Sequence, residues 1–179
     1  MAGCSTDASA RHYVGADPRE LRSPRPVNVS VIRTMKVTVR NASSADYDFA
    51  YQAKRAAFRP YVEDLWGWDE EAQRRMHGER FEAQNFRVIC ADGVDVGVIA
   101  LERSGSCVKL NQLFVLPEYQ GRQIGRLSML LVMEEARERG LPINLRVLKN
   151  NPRARAFYER LGFGSVGETD THDLFAWGV

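Results

Sequence analysis

Between a predicted β-strand and a predicted α-helix, the chain reads Leu113-Phe-Val-Leu-Pro-Glu-Tyr-Gln120-Gly-Arg-Gln-Ile-Gly125-Arg126. A glycine-containing turn that leads from a strand into a helix offers unpaired backbone N–H groups and the positive end of the helix dipole, which suits an anion. Gly121 and Gly125 would let the backbone approach that anion closely, and Arg122 and Arg126 add positive charge. The spacing fits neither a Walker A loop nor a GxGxxG turn. Taken alone, the turn is equally compatible with a packing role for its glycines and arginines.

Hydrophobic periodicity, helix caps and turn residues divide the chain into strands and helices. Strands are predicted at 36–40, 87–91, 94–102, 108–116, 143–148, 166–169 and 173–178. Helices are predicted at about 44–61, 69–83, 124–139 and 152–161. Pro60 should end or kink the first helix, and Asp92-Gly93 should close a hairpin. The order β α α β β β α β α β β indicates an antiparallel meander that leads into one right-handed βαβ crossover.

The composition is that of a globular protein without a strong charge bias. The 179 residues suit one domain with a core, and 25 basic and 23 acidic side chains give a net charge of +2. That balance argues against nucleic-acid binding as the main task. The three cysteines, Cys4, Cys90 and Cys107, include no CxxC pair, so we expect neither a disulfide framework nor a metal site. The same cysteine usage suits a reducing cytoplasm, and we expect no membrane partner because no apolar run is long enough to span a bilayer.

Residues 1–34 differ in composition from the rest of the chain. They contain Pro18, Pro24 and Pro26, scattered Arg and Ser, and little apolar periodicity, which predicts a flexible N-terminal extension. The folded domain is expected over 35–179, with Met35 as an alternative translation start. A targeting leader is the other interpretation of the extension, but its acidic residues disfavour it.

A second motif begins the last predicted helix and reads Asn151-Pro-Arg-Ala-Arg-Ala-Phe-Tyr158-Glu-Arg-Leu-Gly-Phe163. It is similar to the Asn-x-x-Ala-x-x-x-Tyr-x-x-x-Gly-Phe segment of the GNAT superfamily of N-acetyltransferases. The turn at 120–125 resembles that family's Gln/Arg-x-x-Gly-x-Gly/Ala motif, with Gln123 in place of the middle glycine. The resemblance covers about the last four-fifths of the chain. It implies an α/β (α+β) fold: a mixed, mostly antiparallel central sheet of about seven strands with helices on both faces.

The resemblance also implies acetyl-CoA as the donor substrate, without a metal. The family binds the donor pyrophosphate on the amides of the turn and pairs the pantetheine arm with the preceding strand. The implied donor-binding residues are Phe114, Val115, Gln120, Gly121, Arg122, Gln123, Ile124, Gly125, Arg126 and Asn151. Parallel strands that diverge leave free backbone groups for such an arm, and the diverging pair would be 108–116 and 143–148. Gln123 is expected to adopt helical angles, so that its amide still faces the phosphate.

Tyr158 is the implied catalytic residue, because the family places a tyrosine there near the donor sulfur. A phenol with a pKa near ~10 can donate to a departing thiolate, although a core aromatic is the alternative. Many relatives place a carboxylate on the strand before the turn, where this chain has Asn111 and Gln112. These amides could orient a water or the substrate, and Glu102 and Glu118 are near in sequence. We therefore expect a water-relayed proton path without a single strong base.

The segment between the first two helices borders the acceptor site in the family. Trp66, Trp68 and Glu63 are candidate substrate-binding residues, together with Asn111 and Gln112. Aromatic faces and carboxylates could form a cage for a cationic amine. The alternative is that the tryptophans pack the helix corner against the sheet.

The predicted activity is transfer of the acetyl group of acetyl-CoA to a primary amine of a small molecule or peptide, by direct attack in a ternary complex. One alternative is a non-catalytic acyl-CoA-binding regulatory module, which Gln123 favours. The other is a toxin that acetylates aminoacyl-tRNA, which the low net charge disfavours. Analogy with the family suggests a homodimer through the C-terminal hairpin. His77 is predicted to be a solvated surface residue, and His172 is assigned no role.

Overall fold

One seven-stranded sheet runs through residues 35–178, the part of the chain that the computed structural model describes. The strands are β1 (Val37–Asn41), β2 (Asn85–Ala91), β3 (Val94–Arg103), β4 (Val108–Val115), β5 (Ile143–Leu148), β6 (Gly164–Glu168) and β7 (His172–Trp177). The helices are α1 (Tyr47–Trp66), α2 (Glu70–Ala83), α3 (Ile124–Glu138) and α4 (Pro152–Arg160), with 3₁₀ turns at Ser44–Asp46 and Pro117–Tyr119. The predicted element order and fold class are confirmed. The extension predicted over residues 1–34 lies outside the described residues.

The strands lie in the spatial order β1-β2-β3-β4-β5-β7-β6. Every neighbouring pair is antiparallel except β4 and β5, which are parallel and joined through α3. The predicted hairpin between β2 and β3 turns at Asp92 and Gly93, which have φ angles of 49° and 83°. Positive φ at both central residues matches the right-handed twist of the two strands, so this short turn sets their register.

Side chains of the central strand β3 alternate between two hydrophobic cores. Ile99 belongs to the core that contains Met129 of α3 and Tyr158 of α4. Val98 belongs to the opposite core, which contains Ala53 of α1. Successive side chains of a strand point to opposite faces, so a strand that is apolar throughout requires helices on both sides. The two cores place α1 on one face of the sheet and α3 and α4 on the other.

Pro60 lies inside α1, which continues to Trp66, so the prediction that the helix ends near residue 61 is wrong. Proline removes one backbone donor from the helix, but contacts beyond it hold the last turns in place. The Asn150 side-chain nitrogen donates to the Tyr61 carbonyl and to Asp64, each at 3.0 Å. These bonds tie the end of α1 to the loop after β5. Trp66 and Tyr61 consequently reach the site described below.

Within residues 35–178, every helix is too short or too polar to cross a membrane. The same residues contain no group of three or more His, Cys, Asp or Glu side chains arranged to hold a metal ion. Cys90 and Cys107 are free thiols. Cys4 lies outside the described residues.

Candidate functional site

The parallel strands β4 and β5 pair over only three positions before they separate, and these positions are Val108–Ile143, Lys109–Asn144 and Leu110–Leu145. Beyond them β4 continues along β3 to Val115, and β5 continues along β7 to Leu148. Each strand keeps its outer partner while the two facing edges diverge. Backbone groups on those edges have no strand partner, and an extended ligand with amide groups can pair with them. The predicted divergence of this pair is confirmed.

A β-bulge interrupts β4 where the opening begins. Ala100 of β3 is in register with Gln112, and Leu101 is in register with Leu110, so Asn111 has no partner in β3. An extra residue bends a strand and redirects its side chains, which is why bulges are common beside active sites. Asn111 and Gln112 both line the cleft that the two strands open. Asn111 and Gln112 therefore lie at the point where β4 begins to separate from β5.

The turn from β4 into α3 presents a row of unpaired backbone N–H groups. None of the N–H groups of residues 123–126 donates to an acceptor in the described part of the chain, and no side chain caps the helix. The Gln120 side chain holds the turn against the strand, because its Nε2 donates to the Val115 carbonyl at 2.8 Å. Successive free amides at a helix N-terminus form a concave site for an anion.

Gln123 has φ 66° and ψ 0°, which is the left-handed conformation. The expectation of helical angles at this residue is therefore wrong. A side chain with a Cβ is strained in this region by about 1–2 kcal/mol, whereas glycine is not. The turn requires the left-handed angles in order to lead into α3, and Gln123 adopts them despite the cost. Such strain tends to persist where the surrounding structure and a ligand need the geometry.

A cleft of about 1130 Å³ connects the strand opening with the turn. Nine of the ten predicted donor-binding residues line it, namely Phe114, Val115, Gln120, Gly121, Gln123, Ile124, Gly125, Arg126 and Asn151. The exception is Arg122, whose guanidinium carbon lies 5.5 Å from the ring centroid of Tyr119. The structure therefore brings the predicted donor residues together around one cavity, apart from Arg122.

Helix α4 brings Asn151 and Tyr158 to the same cleft. Asn151 caps the helix, because its Oδ1 accepts the Ala154 N–H at 3.0 Å. Tyr158 is 8% exposed, and its ring centroid lies 5.0 Å from that of Phe157 and 5.5 Å from that of Phe163. Burial raises the pKa of the Tyr158 hydroxyl, so it stays protonated at working pH. The cleft thus combines a turn of unpaired backbone amides, a strand opening and a neutral phenol.

The family model described as acetyltransferase (GNAT) family matches residues 47–163, which include α1, the β4 opening, the turn and α4. The chain belongs to the GNAT acetyltransferase family. A search of curated proteins found no match to the sequence. The GNAT assignment therefore rests on the family match, and the fold agrees with it.

Solved GNAT structures share this fold at low sequence identity. The PaiA N-acetyltransferase of Thermoplasma acidophilum, in complex with coenzyme A, is 19% identical with a TM-score of 0.65, over 79% of this chain and 98% of its own. The ribosomal-protein-S18-alanine N-acetyltransferase of Escherichia coli is 23% identical with a TM-score of 0.59, over 79% and 91%. Arabidopsis thaliana Naa50, in complex with the bisubstrate analogue CoA-Ac-MVNAL, is 19% identical with a TM-score of 0.61, over 80% and 99%. At these identities the likeness concerns the fold alone.

The predicted acceptor residues of this GNAT domain divide into two groups. Trp66, Asn111 and Gln112 line the cleft, whereas Trp68 and Glu63 do not. Trp66 is 58% exposed, so its ring offers an apolar surface at the rim. Gln112 is only 5% exposed and lies deeper.

Trp68 and Glu63 interact with other residues of the protein. The Glu63 carboxylate pairs with Arg59 at 3.0 Å. The Trp68 Nε1 donates to Glu70 at 2.8 Å, and its ring centroid lies 6.0 Å from the Lys54 ammonium and 5.9 Å from the Arg59 guanidinium. These contacts favour the packing alternative for Trp68. The carboxylates of Glu63 and Glu70 are engaged in these contacts and do not line the cleft, so neither forms part of a cage for a cationic amine there.

Sequence analysis missed several polar residues of the cleft, namely Lys54, Gln73, Arg80, Arg146 and His172. Lys54 is 2% exposed, and burial, reinforced by repulsion from Arg80, lowers its pKa to about 8. A signal for it existed, because Lys54 shares the buried face of α1 with Ala50 and Tyr51, where a lysine is unusual. His172 reaches the cleft only because β7 pairs with β5. No local sequence pattern predicts this pairing.

His77 is fully buried, so the prediction of a solvated surface residue is wrong. Its Nε2 lies 3.1 Å from the Tyr47 carbonyl, and its ring packs among Tyr47, Tyr51, Phe81 and Phe86. Burial lowers the pKa of His77, so the ring is neutral and serves as part of the aromatic contact between α1 and α2. This role was not predicted because many neighbours of His77 in the sequence are charged. Only a narrow stripe of α2, Gln73 and His77, is buried.

No carboxylate of the described residues lines the cleft. Glu102 is exposed and pairs with Lys109 at 3.1 Å, which lowers the pKa of its carboxyl group. Glu118 lies at the surface of the 3₁₀ turn. Of the histidines in the described part of the chain, only His172 lies at the cleft wall, and burial, with Arg146 adding to it, lowers the pKa of that ring.

Proposed function

We propose that the domain over residues 35–179 transfers the acetyl group of acetyl-CoA to a primary amine of a small molecule or peptide. The amine attacks the thioester directly in a ternary complex, and the protein forms no covalent intermediate. The observation that carries this proposal is the separation of β4 from β5 beside a turn of unpaired amides, with Tyr158 in the same cleft. Two similar structures are complexes with coenzyme A or a coenzyme A–peptide analogue, which supports the donor.

The residues present fit the donor at both of its ends. Free N–H groups of residues 123–126 would bind the pyrophosphate, and Arg126 would add a charge at the cleft wall. The pantetheine arm would pair with the free edge of β4 near Phe114 and Val115, which lack a partner on β5. The free side-chain nitrogen of Asn151 would donate to the same arm.

Tyr158 would stabilise the departing sulfur. When the amine nitrogen bonds to the carbonyl carbon, the carbon–sulfur bond breaks and a thiolate leaves. Because burial raises the pKa of Tyr158, its hydroxyl serves best as a hydrogen-bond donor that remains protonated while negative charge develops on sulfur. The thiolate then takes its proton from water.

The acceptor amine must lose a proton before or during attack. No carboxylate lines the cleft among the described residues, which supports a water-relayed path. His172 lies at the cleft wall, and burial lowers the pKa of its ring, so it is a weak acceptor for that proton and water carries the path. A cleft wall with several cations also lowers the pKa of a bound ammonium, so less driving force is needed from a base.

Replacing Tyr158 with Phe tests the catalytic role. We expect kcat to fall on the order of 10²-fold, with the Kd of acetyl-CoA changed less than about twofold, because only the bond to the departing sulfur is lost. The measurement is thiol release during steady-state turnover, with calorimetric titration of acetyl-CoA. An unchanged kcat would remove Tyr158 from the mechanism.

A thiol-release screen against pooled amines, peptides and aminoacyl-tRNA tests the activity itself. Acetyl-CoA binding together with release by small amines or peptides supports the proposal. Binding without release by any acceptor would favour a non-catalytic acyl-CoA module. Release with aminoacyl-tRNA alone would favour the tRNA-modifying alternative.

We also propose a cytoplasmic location and a homodimer, each from one observation. Cys90 and Cys107 are free thiols, which suits a reducing compartment. The edge strand β6 is exposed along its whole length, and a second copy could add to it. Sedimentation of the full chain with and without acetyl-CoA measures the oligomeric state, and a monomer at tens of micromolar would contradict the dimer.

A further inference from the structure

Among residues 35–178, all six charged side chains that line the cleft are basic, namely Lys54, Arg80, Arg126, Arg146, Arg153 and Arg160. The chain as a whole is nearly balanced, with a net charge of +2. The cleft is therefore much more positive than the average surface. Arg126 lies on the turn, and Arg153 and Arg160 lie on α4 with Asn151, so these three belong to the donor half of the cleft.

The other three cations come from elements that carry none of the predicted donor-binding residues. Lys54 lies on α1, Arg80 on α2 and Arg146 on β5. They are close enough for their charges to interact: Arg80 acts on Lys54, and Arg146 acts on Arg80. Glu70 and Glu79 oppose these repulsions at Lys54 and Arg80, and each has a smaller effect than the neighbouring cation. We call Lys54, Arg80 and Arg146 the acceptor-side cations.

Within residues 35–178, the acceptor-side cations form no ion pair with a carboxylate. The Lys54 ammonium has only the Gln73 carbonyl at 3.5 Å and the rings of Tyr51 and Trp68, each with its centroid at 6.0 Å. Lys54 is the buried member of the three, and a buried cation without an ion-pair partner is costly. An anionic ligand in the cleft would supply the charge that Lys54 lacks.

Gln112 gives a second, independent sign of a ligand. Its side chain lines the cleft and is 5% exposed, yet neither Oε1 nor Nε2 has a hydrogen-bond partner among the described residues. A buried primary amide that is left unsatisfied costs about 1–3 kcal/mol. The β-bulge at Asn111 redirects this stretch of β4 towards the cleft. A bound group that accepts from Nε2 would satisfy the donor half of this amide.

We propose that the acceptor of this GNAT enzyme is an amine that carries an anionic group, a carboxylate or a phosphate, held by the acceptor-side cations and Gln112. The proposal rests on the proposed acetyl transfer and specifies its substrate class. The reacting amine would lie towards Tyr158 at the strand opening, and the anion would lie towards α1 and α2. Amino acids, phosphorylated amines and peptides with an acidic N-terminal region have this chemistry.

The same cations would promote deprotonation of the amine. Positive charge near an ammonium lowers its pKa, because the neutral form is then favoured. The three cations exceed the charge of one bound anion, and this excess would lower the pKa of an amine at the strand opening. This fits a cleft whose described residues include no carboxylate base.

The first experiment compares matched acceptors in the full chain. Amino acids are assayed against their amides, and phosphoethanolamine against ethanolamine, with thiol release as the readout. We expect kcat/KM to be at least ~10-fold higher for the anionic member of at least one pair. Comparing the carboxylate pairs with the phosphate pair identifies which anion the site takes. A preference for neutral or cationic amines, or for aminoacyl-tRNA, would overturn the inference while the proposed transfer would stand.

The second experiment removes the cations one at a time. Lys54→Met and Arg146→Met are expected to lower kcat/KM for the anionic acceptor at least ~10-fold, while KM for acetyl-CoA changes less than about twofold. The control is Arg75→Met, because Arg75 is exposed on α2 and does not line the cleft. Equal losses with the control variant, or equal losses for the anionic and neutral members of a pair, would contradict the proposal.

A binding readout separates this inference from the activity. With saturating coenzyme A on the turn, inorganic phosphate is titrated in a thermal-unfolding assay of the full chain. We expect the wild type and Arg75→Met to gain several degrees, and the double variant Lys54→Met/Arg80→Met to gain less than one degree. Equal gains in all three would overturn the anion site. Loss of coenzyme A binding in the wild type would instead show that the proposed function fails.

Discussion

At the scale of single residues, two side chains of the cleft occupy positions that cost the fold stability. Gln123 takes a left-handed conformation that glycine would take without strain. Lys54 is a buried ammonium without a carboxylate partner in the described part of the chain. Gln123 lies where the donor would bind, and Lys54 lies where the acceptor would bind. Substitutions at these residues are therefore expected to change ligand binding and the free energy of unfolding in different ways.

Substitution of Gln123 tests the geometry of the turn. Gln123→Gly should leave the free energy of unfolding within about 1 kcal/mol and keep or tighten acetyl-CoA binding, because relief of strain offsets the extra freedom of the unfolded chain. Gln123→Val should cost about 2 kcal/mol and weaken acetyl-CoA at least ~10-fold, because a β-branched side chain resists positive φ. Denaturant unfolding and calorimetry give both values. Equal Kd values for the two variants would contradict a role for the left-handed amide.

Lys54→Met should raise the melting temperature at pH 7 and lower activity towards anionic acceptors. The pKa of Lys54 is about 8 in the folded chain and has its ordinary value of 10.5 when unfolded. Below pH 8 both states are charged and the folded state bears the cost of burial. That cost disappears as pH rises from 8 to 10.5, because folding then favours the neutral amine.

The gain from Lys54→Met should therefore be larger at pH 7 than at pH 10. Thermal unfolding at the two pH values measures it, with Arg75→Met as the exposed control. A gain of the same size at both pH values would mean that Lys54 is not destabilised by its charge.

At the scale of elements, the site depends on how β3 and β4 approach one another. Gly97 of β3 is in register with Val115, and a Cβ at Gly97 would overlap the Phe114 carbonyl oxygen and lie 3.1 Å from the Val115 Cα. The edge of β4 that faces away from β3 is the one proposed to hold the donor. Any shift of β4 to accommodate a side chain at Gly97 is transmitted to that edge.

Gly97→Ala should lower the free energy of unfolding by about 2 kcal/mol and raise the Kd of acetyl-CoA several-fold, because the obstacle is rigid backbone. Denaturant unfolding and donor titration measure the two effects. Gly105→Ala is the matched control, because a Cβ there meets nothing within 4 Å. If Gly97→Ala binds acetyl-CoA with the Kd of the wild type, the position of β4 does not govern the donor site.

At the scale of the whole molecule, charge is distributed unevenly. The net charge is +2, yet the charged residues that line the cleft are all basic. A concave surface of one sign attracts ligands of the opposite sign and speeds their association. A domain with such a cleft would therefore not need to be basic overall to bind the two anionic substrates that we propose.

Salt should weaken binding of both substrates without slowing the chemical step. Raising NaCl from 0.05 to 0.5 M should increase KM for acetyl-CoA and for an anionic acceptor about 5- to 10-fold, with kcat changed less than about twofold, because the Debye length falls to a few ångströms. KM for a neutral amine should hardly change. Equal salt dependence for neutral and anionic acceptors would contradict the role of the cleft charges.

Short-range patterns predicted where α3 and α4 begin, and the structure confirms both starts. That the turn at 120–126 and Asn151 bind a donor was implied by the family resemblance and stays a prediction. The same patterns failed at Pro60 and His77. At Pro60, contacts with Asn150 extend the helix, and at His77, packing of α1 on α2 buries a residue among charged neighbours.

The amino-acid sequence alone determined the order of the elements, the sheet class and the position of the glycine-containing turn before α3, because each of these follows from local periodicity, caps and turns. Only the tertiary structure decided the character of the acceptor side. Its residues, Lys54, Arg80, Gln112 and Arg146, come from α1, α2, β4 and β5. Their charges and the unpaired amide of Gln112 can act on one ligand only because packing brings them into one cleft. No spacing along the chain predicts that these residues lie together.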